Sequence, residues 1–501
     1  MDWHKNNKSR APLFEAMVAH YHKKSSSFHV PGHKSGQGID DESRRFLHAV
    51  MSIDYTEISG LDDLHHAEGV ILEAEKLAAD CFGAEETYFL VGGSTVGNLA
   101  MITAVCEQND LILVQRNVHK SVIHGLMLAG ARAVFISPAW DTETGIAVGL
   151  RIEDVKQALN RYPEAKALLL TNPNYYGMGV DLEPFAQLMH EHGKMLLVDE
   201  AHGAHFGFHE QVPASALSSG ADAVVQSTHK MLTAMTMGAM LHVQGPRIDR
   251  MSIKQRLAML QSSSPSYPIL ATLDLARKKM HTEGRAWMEQ GLVVVEQFRA
   301  WLNELQIIGY YMKEYPKAQG KGYTTADPFK VSIYDKTGTL SGSELRDRLE
   351  AQGCFVEMAD ARYVLLVFTP SSSKEDALRV YEALCNICLE GQLQKKELQA
   401  PISNISILPL DTQVSSPVIF DLRDFRKTGS KESIVSMVSL QEAVGKRSAD
   451  MVIPYPPGIP YLYPGEIISA SIAFALQQLA VNGIRFQGTA FGQTQQLNIY
   501  T

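Results

Sequence analysis

Two residues in this chain have the type and setting for carbonyl chemistry. Asp199 closes the apolar run Met195–Asp199 (MLLVD), and Lys230 closes the stretch ADAVVQSTHK. Apolar runs of four or five residues between polar or Gly-containing turns read as buried strands of a parallel sheet. In such sheets ligands bind off the carboxyl ends of the strands. The two runs therefore deliver a carboxylate and an amine to one rim. A carboxylate that can pair with a ring nitrogen, beside a lysine free to condense with a carbonyl, is what pyridoxal phosphate needs. Lys230 lies in VVQSTHKMLTAMTMGAM, apolar surroundings that do not suit a solvated lysine. Burial lowers a lysine's pKa and makes its amine nucleophilic. Ser227 and His229 flank it, placed to bind phosphate or to help move a proton.

Other polar groups have two readings each. Ser94 and Thr95 follow Gly92-Gly93 between a strand and a helix. Free N–H groups at a helix start suit a phosphate dianion, yet Ser94 also reads as a plain N-cap. No Gly-Lys pair is followed by Ser or Thr, so the turn is not a nucleotide phosphate loop. His119 opens a helix and could stack on a pyridine ring or face water. Asp199-Glu200-Ala201-His202 spells a helicase box, but that reading lacks its phosphate loop. His202 and His205 have the spacing of metal ligands; with no third clustered ligand, no metal is expected. Cys385 and Cys388 fall in a helical apolar pattern and read as core.

These groups must be carried by a sizeable scaffold. The chain has 501 residues, 45% apolar and 20% charged, with a net charge of −9. That acidity speaks against nucleic acid and against an acidic membrane surface. No apolar run reaches the length of a membrane span, and the start has no signal-peptide core. Five cysteines, an odd number, fit a reducing cytoplasm. From residue 68 to 245 short apolar runs alternate with helical patterns, which predicts βαβ units and a mainly parallel seven-stranded sheet, an α/β fold. The expected strands are 87–91, 111–115, 133–137, 167–171, 195–199, 223–227 and 239–243. Helices are expected at 11–22, 68–82, after the Gly92-Gly93 turn through Ala104, and at 120–129, 152–162, 182–192, 269–305, 343–352, 374–389 and 439–443, with shorter strands at 329–334 and 363–368. The predicted organisation is an N-terminal arm (1–30), a large domain (31–268), a linking helix with a small α+β domain (269–400, ending in a polar linker from Leu389), and a C-terminal domain (401–501). That last unit holds a Pro-rich loop ending at Glu466.

Eight motifs occur in order: FHVPGHKSG, LDDLHH, GGSTVGN, RNVHKS, TNPNYYG, VDEAHGAH, QSTHK and PYPPGIPYLYPGE. Together they resemble the Orn/Lys/Arg decarboxylase family, pyridoxal-phosphate enzymes of fold type I, from Phe28 to Glu466. The resemblance implies that Lys230 carries the coenzyme covalently and that Asp199 pairs with the pyridine nitrogen. It implies that His119 stacks on the ring, that Ser94, Thr95 and Ser227 hold the phosphate, and that His202 belongs to the cofactor-binding set. His229-Lys230 is typical of decarboxylases on this fold, with either residue returning a proton to Cα. The implied activity is decarboxylation of arginine, lysine or ornithine for polyamine metabolism, with arginine slightly favoured. An aminotransferase or lyase on the same scaffold is the alternative. Glu466, Asp62 or Asp63 is expected to meet the distal cation of the substrate. Pro31-Gly32-His33 comes early, so the short form without an N-terminal wing domain is expected, as a homodimer or dimer of dimers. Gly93 stands where many relatives carry Thr, so one phosphate contact is expected to be missing.

Overall fold

The structure, a computed structural model, describes residues 7–141, 144–305, 307–311, 325–392, 413–420, 435–455, 459–481, 484–487 and 489–500. Apolar runs in the first half form β1 (Glu86–Leu90), β2 (Leu111–Gln115), β3 (Arg132–Ile136), β4 (Ala167–Thr171), β5 (Met195–Asp199), β6 (Ala223–Gln226) and β7 (Ala239–Val243). The small domain supplies β8 (Ile308–Tyr311), β9 (Lys330–Asp335), β10 (Met358–Ala359) and β11 (Val364–Val367), and β12 (Val418–Ile419) follows. The large sheet has eight strands in the order β1-β7-β6-β5-β4-β2-β3-β12. Strands β6, β5, β4, β2 and β3 are parallel, while β7 runs against β1 and β6. From β2 the chain goes out to β3 and returns to β4 on the other side. That reversal opens a crevice at the carboxyl ends of the strands.

The strands lie within one residue of the predicted ranges because their signal is a run of side chains buried on both faces. Every residue of β2 and β7 is buried. The helix Gly93–Val105 presses against this sheet through Gly97. A Cβ at Gly97 would run into Val225 Cγ2 and lie 3.0 Å from Leu90 Cδ1. Gly83, in the left-handed conformation (φ 79°), ends the helix Val70–Phe82 where the sequence placed a stop.

The N-terminal arm is tied to the body. The Leu13 N–H, in the helix Pro12–His22, donates to Asp274 at 3.0 Å, and Arg277 donates to the carbonyls of Lys8 and Arg10. Asp274 and Arg277 sit in the long helix Tyr267–Glu304, which leads into the antiparallel sheet β8-β9-β11-β10. The helices Asp41–Met51, Arg250–Leu260 and Ala470–Val481 were not predicted. The first buries none of its residues, so it has no core stripe to read. The linker expected at 389–401 begins as helix, because Lys374–Gln392 is continuous; residues 393–412 lie outside the described residues. Residues 413–420, assigned by sequence to the C-terminal unit, add β12 to the large sheet. The rest of that unit has its own core around Leu462, Leu476, Phe491 and Leu497.

Gly97→Ala tests the seating of the helix on the sheet. Overpacking predicts a loss of about 1–3 kcal/mol in a urea melt. Unchanged stability would mean that helix and sheet are not in close contact there.

Candidate active site

The crevice gathers the ends of five strands, β1, β2, β4, β5 and β6. Asp199 ends β5 and is 2% exposed. It accepts a hydrogen bond from Asn98 Nδ2 at 2.8 Å and one from the Ala201 N–H at 3.1 Å. Asn98 also donates to Ser121 Oγ at 2.9 Å. Ser121 turns its hydroxyl (2.9 Å) and its N–H (3.3 Å) toward His119 Nδ1. Nδ1 is therefore the acceptor, and a neutral His119 carries its proton on Nε2. His119 is exposed by surface area, yet the protein around it withdraws enough water to lower its pKa; Asp199 opposes that shift and Lys230 adds to it.

The Gly-rich turn expected to hold the phosphate follows β1. Ser227 Oγ donates to Ser94 Oγ at 2.8 Å, so these two hydroxyls stand together. The Gly93 N–H is held by the Met237 carbonyl at 2.8 Å, and the Gly238 carbonyl accepts from the His229 N–H at 3.1 Å. His229 Nδ1 is 2.9 Å from the same Gly238 oxygen, which leaves its Nε2 with the lone pair. The next N–H groups of the helix Gly93–Val105 have no intrahelical acceptor. Thr95 lies on the exposed side of this first turn.

Lys230 follows β6 and is half-buried. Burial lowers its pKa, against the opposing pull of Asp199 and Glu357. Its Nζ lies 3.1 Å from His202 Nε2. His202 is 6% exposed, and its Nδ1 is 3.2 Å from Lys330 Nζ. Burial first, then the two lysines, holds the His202 pKa well below the ordinary imidazole value. The Tyr175 ring meets His202 edge-on at 4.6 Å, and its hydroxyl donates to Glu357 at 2.6 Å.

The donor set fits pyridoxal phosphate. It offers a buried carboxylate for a ring nitrogen, an amine of lowered pKa, two hydroxyls at a helix start, and an imidazole at the mouth. Two buried polar atoms at this rim, Asn98 Oδ1 and Thr171 Oγ1, have no hydrogen-bond partner among the described residues. Thr171 sits directly opposite Asp199 in the β4–β5 register.

Comparison with known proteins agrees. Residues 11–376 match the Orn/Lys/Arg decarboxylase major domain, and residues 428–486 match the C-terminal domain of the same family. The chain belongs to the Orn/Lys/Arg decarboxylase family. It is 38% identical to the uncharacterized protein YaaO of Bacillus subtilis, covering 98% of both chains. It is 36% identical to the arginine decarboxylase of Bacillus subtilis, covering 95% of both. The lysine decarboxylase LdcF of Francisella novicida has the same fold, with a TM-score of 0.83 at 20% identity over 98% of this chain and 81% of that one. As a member of this family the protein is a pyridoxal-phosphate-dependent amino-acid decarboxylase.

The three acids expected at the distal cation are engaged elsewhere. Glu466 is 8% exposed and paired with Arg116, its Oε1 2.6 Å and its Oε2 2.9 Å from Nη2, and it also accepts the Tyr463 N–H. Its charge is neutralised inside the subunit, so it is not free for a substrate cation. Asp62 accepts from the N–H groups of Glu68, Gly69 and Ile71 and so starts the helix Val70–Phe82. Asp63 accepts from the His65 N–H. His202 and His205 do not converge either: His205 Nε2 bonds Asp327 at 3.0 Å.

Sequence reasoning missed Asn98, Ser121, Tyr175, Lys330 and Glu357. Asn98 had a signal, because it lies one turn beyond Ser94 on the same helix face. Lys330 had one too, as a lysine in an otherwise apolar strand, PFKVSIY. Glu357 is exposed and had none.

Lys230→Ala should abolish the yellow, borohydride-fixable bond to added pyridoxal phosphate. Label persisting at another lysine would remove Lys230 from that role. Glu466→Gln should cost roughly 3 kcal/mol in a urea melt, because Arg116 is left buried without its counter-charge. A variant of full stability with a raised KM for basic amino acids would return Glu466 to the substrate.

Proposed function

We propose that the protein decarboxylates arginine to agmatine, a precursor for polyamine synthesis. The observation that carries the chemistry is Lys230, an amine of lowered pKa at the rim it shares with Asp199. The preference for arginine is supported by relatives. Arginine decarboxylases of Bacillus subtilis and Bacillus anthracis are each 36% identical to this chain, whereas the Pseudomonas aeruginosa lysine decarboxylase LdcA is 26% identical.

When bound, pyridoxal phosphate supplies the electron sink for the pair left behind as carbon dioxide departs. The chain's own groups divide the remaining work. Asp199 offers the anion that keeps a ring nitrogen protonated, and Asn98 and the Ala201 N–H fix its orientation. Ser94, Ser227 and the helix start hold the phosphate. His119, tied through Ser121 to Asn98, offers the flat of its ring. His229 keeps Nε2 free and stands next to Lys230, so either group can return a proton to the carbon that lost its carboxylate.

We assign the working unit as a homodimer in the cytoplasm. Phe28 is 94% and Phe46 81% exposed, and Val30, Leu47 and Val50 are exposed beside them in sequence. An apolar stretch of this kind, on a helix that buries nothing in its own subunit, fits a face that a second copy covers. The five cysteines are unpaired, and among the described residues no helix is long and apolar enough to cross a membrane.

Carbon dioxide release from arginine, lysine and ornithine tests the reading. Arginine should give the highest kcat/KM by at least about tenfold, roughly 1.4 kcal/mol of transition-state discrimination. Lysine or ornithine in first place would overturn the substrate. Formation of the 2-oxo acid without carbon dioxide would make the protein an aminotransferase. Asp199→Asn should keep the cofactor but slow turnover about 100-fold, near 3 kcal/mol, in steady-state assays. Near-normal turnover would take Asp199 out of the reaction.

A further inference from the structure

Five buried polar side chains lie in a row on the face of the large sheet that is turned away from the helix Gly93–Val105. Side chains alternate along a strand. Asp199 and Val225 meet that helix, so Glu200 and Gln226 point to the other face. Glu200 Oε1 accepts the Ala216 N–H at 2.8 Å, and its Oε2 accepts from Gln226 Nε2 at 2.7 Å and from Ser215 Oγ at 3.3 Å. Gln226 Oε1 is 3.2 Å from His242 Nε2, and His242 Nδ1 is 2.8 Å from Thr87 Oγ1. An amide oxygen only accepts, so Nε2 carries the proton of a neutral ring and Thr87 donates to Nδ1. The row runs from the end of β5 across β6 and β7 to β1.

A core has no need of such a row. Glu200, Gln226 and His242 are at most 1% exposed. Burial pushes the Glu200 carboxyl up to about 8, against the pull of Gln226, Ala216 and Ser215, and brings the His242 imidazole down to about 3. Apolar side chains would fill the layer without that desolvation. A fully bonded polar row adds one thing that they do not, a single fixed arrangement of the strands that carry it. Those strands carry the site. Asp199 stands opposite Val225 in the β5–β6 register, so Glu200 and Gln226 form the next pair. Asp199 precedes Glu200, and Ser227 follows Gln226. Ser227 bonds Ser94, and its carbonyl holds the Lys230 N–H at 3.1 Å.

We infer that Glu200 and Gln226 are positioning residues: their hydrogen bond sets the spacing between Asp199 at one strand end and Ser227 with Lys230 at the next. The same carboxyl holds the Ser215-Ala216 stretch that leads into β6. The turn that carries His202 is fitted to it, since a Cβ at Gly203 would lie 2.6 Å from Glu200 Cγ. His242 and Thr87 hold Gln226 from its other end. The amide cannot swing away from Glu200 without leaving His242 unpartnered in an apolar layer, a loss that buried polar groups do not tolerate cheaply.

The inference rests on the assignment of Asp199, Ser227 and Lys230 to the cofactor, and one of its readouts needs no cofactor. Gln226→Leu removes the bond. The pair Glu200→Gln with Gln226→Glu remakes it in reverse: the amide at 200 keeps an oxygen for the Ala216 N–H and donates to the carboxylate at 226, whose other oxygen accepts from His242. Gln226→Leu should raise the Kd for pyridoxal phosphate about tenfold or more, shift the visible band of the loaded protein, and lower kcat up to about 100-fold with little change in KM. The exchanged pair should return each value to within about threefold of wild type. In cofactor-free protein, amide hydrogen exchange over residues 227–230 should speed up in Gln226→Leu and return to the wild-type rate in the exchanged pair. A folded Gln226→Leu that keeps Kd, band and exchange rate makes the row a part of the core alone and overturns the inference. An exchanged pair that does not recover them, folded or not, overturns it too, and this arm stands if Gln226→Leu does not fold. A wild-type protein that forms no chromophore with pyridoxal phosphate, with exchange rates as expected, would sink the cofactor assignment and leave the strand spacing intact.

Discussion

A carboxylate held almost out of water at the end of an apolar strand is the constraint on which this site is built. Asp199 cannot be solvated, so its oxygens must be met by donors from the protein. Asn98 meets one, and Asn98 is set by a helix that lies flat on the sheet only because Gly97 has no side chain. The same amide reaches Ser121, and through it His119. The acid, the helix Gly93–Val105 and the imidazole at the mouth are thus fixed by one continuous set of hydrogen bonds. The two bonds to the Asp199 carboxylate are charge-assisted and worth roughly 1.5–3 kcal/mol each, and the neutral ones roughly 0.5–1.5 kcal/mol.

A second set of bonds joins the small domain to this rim. The loop after β4 supplies Tyr175 to Glu357 and Tyr176 to Asp360. From the segment after β5, His205 reaches Asp327. Gly177, with φ at 85°, has no room for a side chain against Lys330 and Asp327. Lys330 therefore reaches His202 because two separate stretches of the large domain hold the start of β9 in place.

What could be read from sequence followed from how local its cause was. β2, β4, β5 and β7 were legible to the residue because burial on both faces leaves a run of three or four apolar residues with a single polar one at or near its end. Asp199 and Lys230 were legible because each closes such a run. Lys330 stands out locally as a lysine at the start of a largely apolar strand, but that it and Glu357 reach this site is set by tertiary folding, which no local pattern records. Asp62 and Glu466 have partners that the sequence does not show, for a related reason. Composition says that a carboxylate stands at a loop, but not that three backbone N–H groups or a buried Arg116 will take it. The helix Asp41–Met51 was invisible because its apolar residues face outward, so its periodicity serves no core of its own subunit.

The short strand β12 has a consequence for the order in which the chain is made. It pairs with β3, whose outer edge carries no other strand of the large sheet among the described residues. An uncovered edge is a template on which other chains can add. Among the described residues every other strand of that sheet lies before residue 244, but the piece that seals this edge is Val418–Ile419. During synthesis the sheet is complete in all but its last strand while the whole small domain is still to emerge. Nascent chains on one messenger are therefore exposed to edge-to-edge pairing over that interval, and release from it arrives only when the C-terminal part leaves the ribosome.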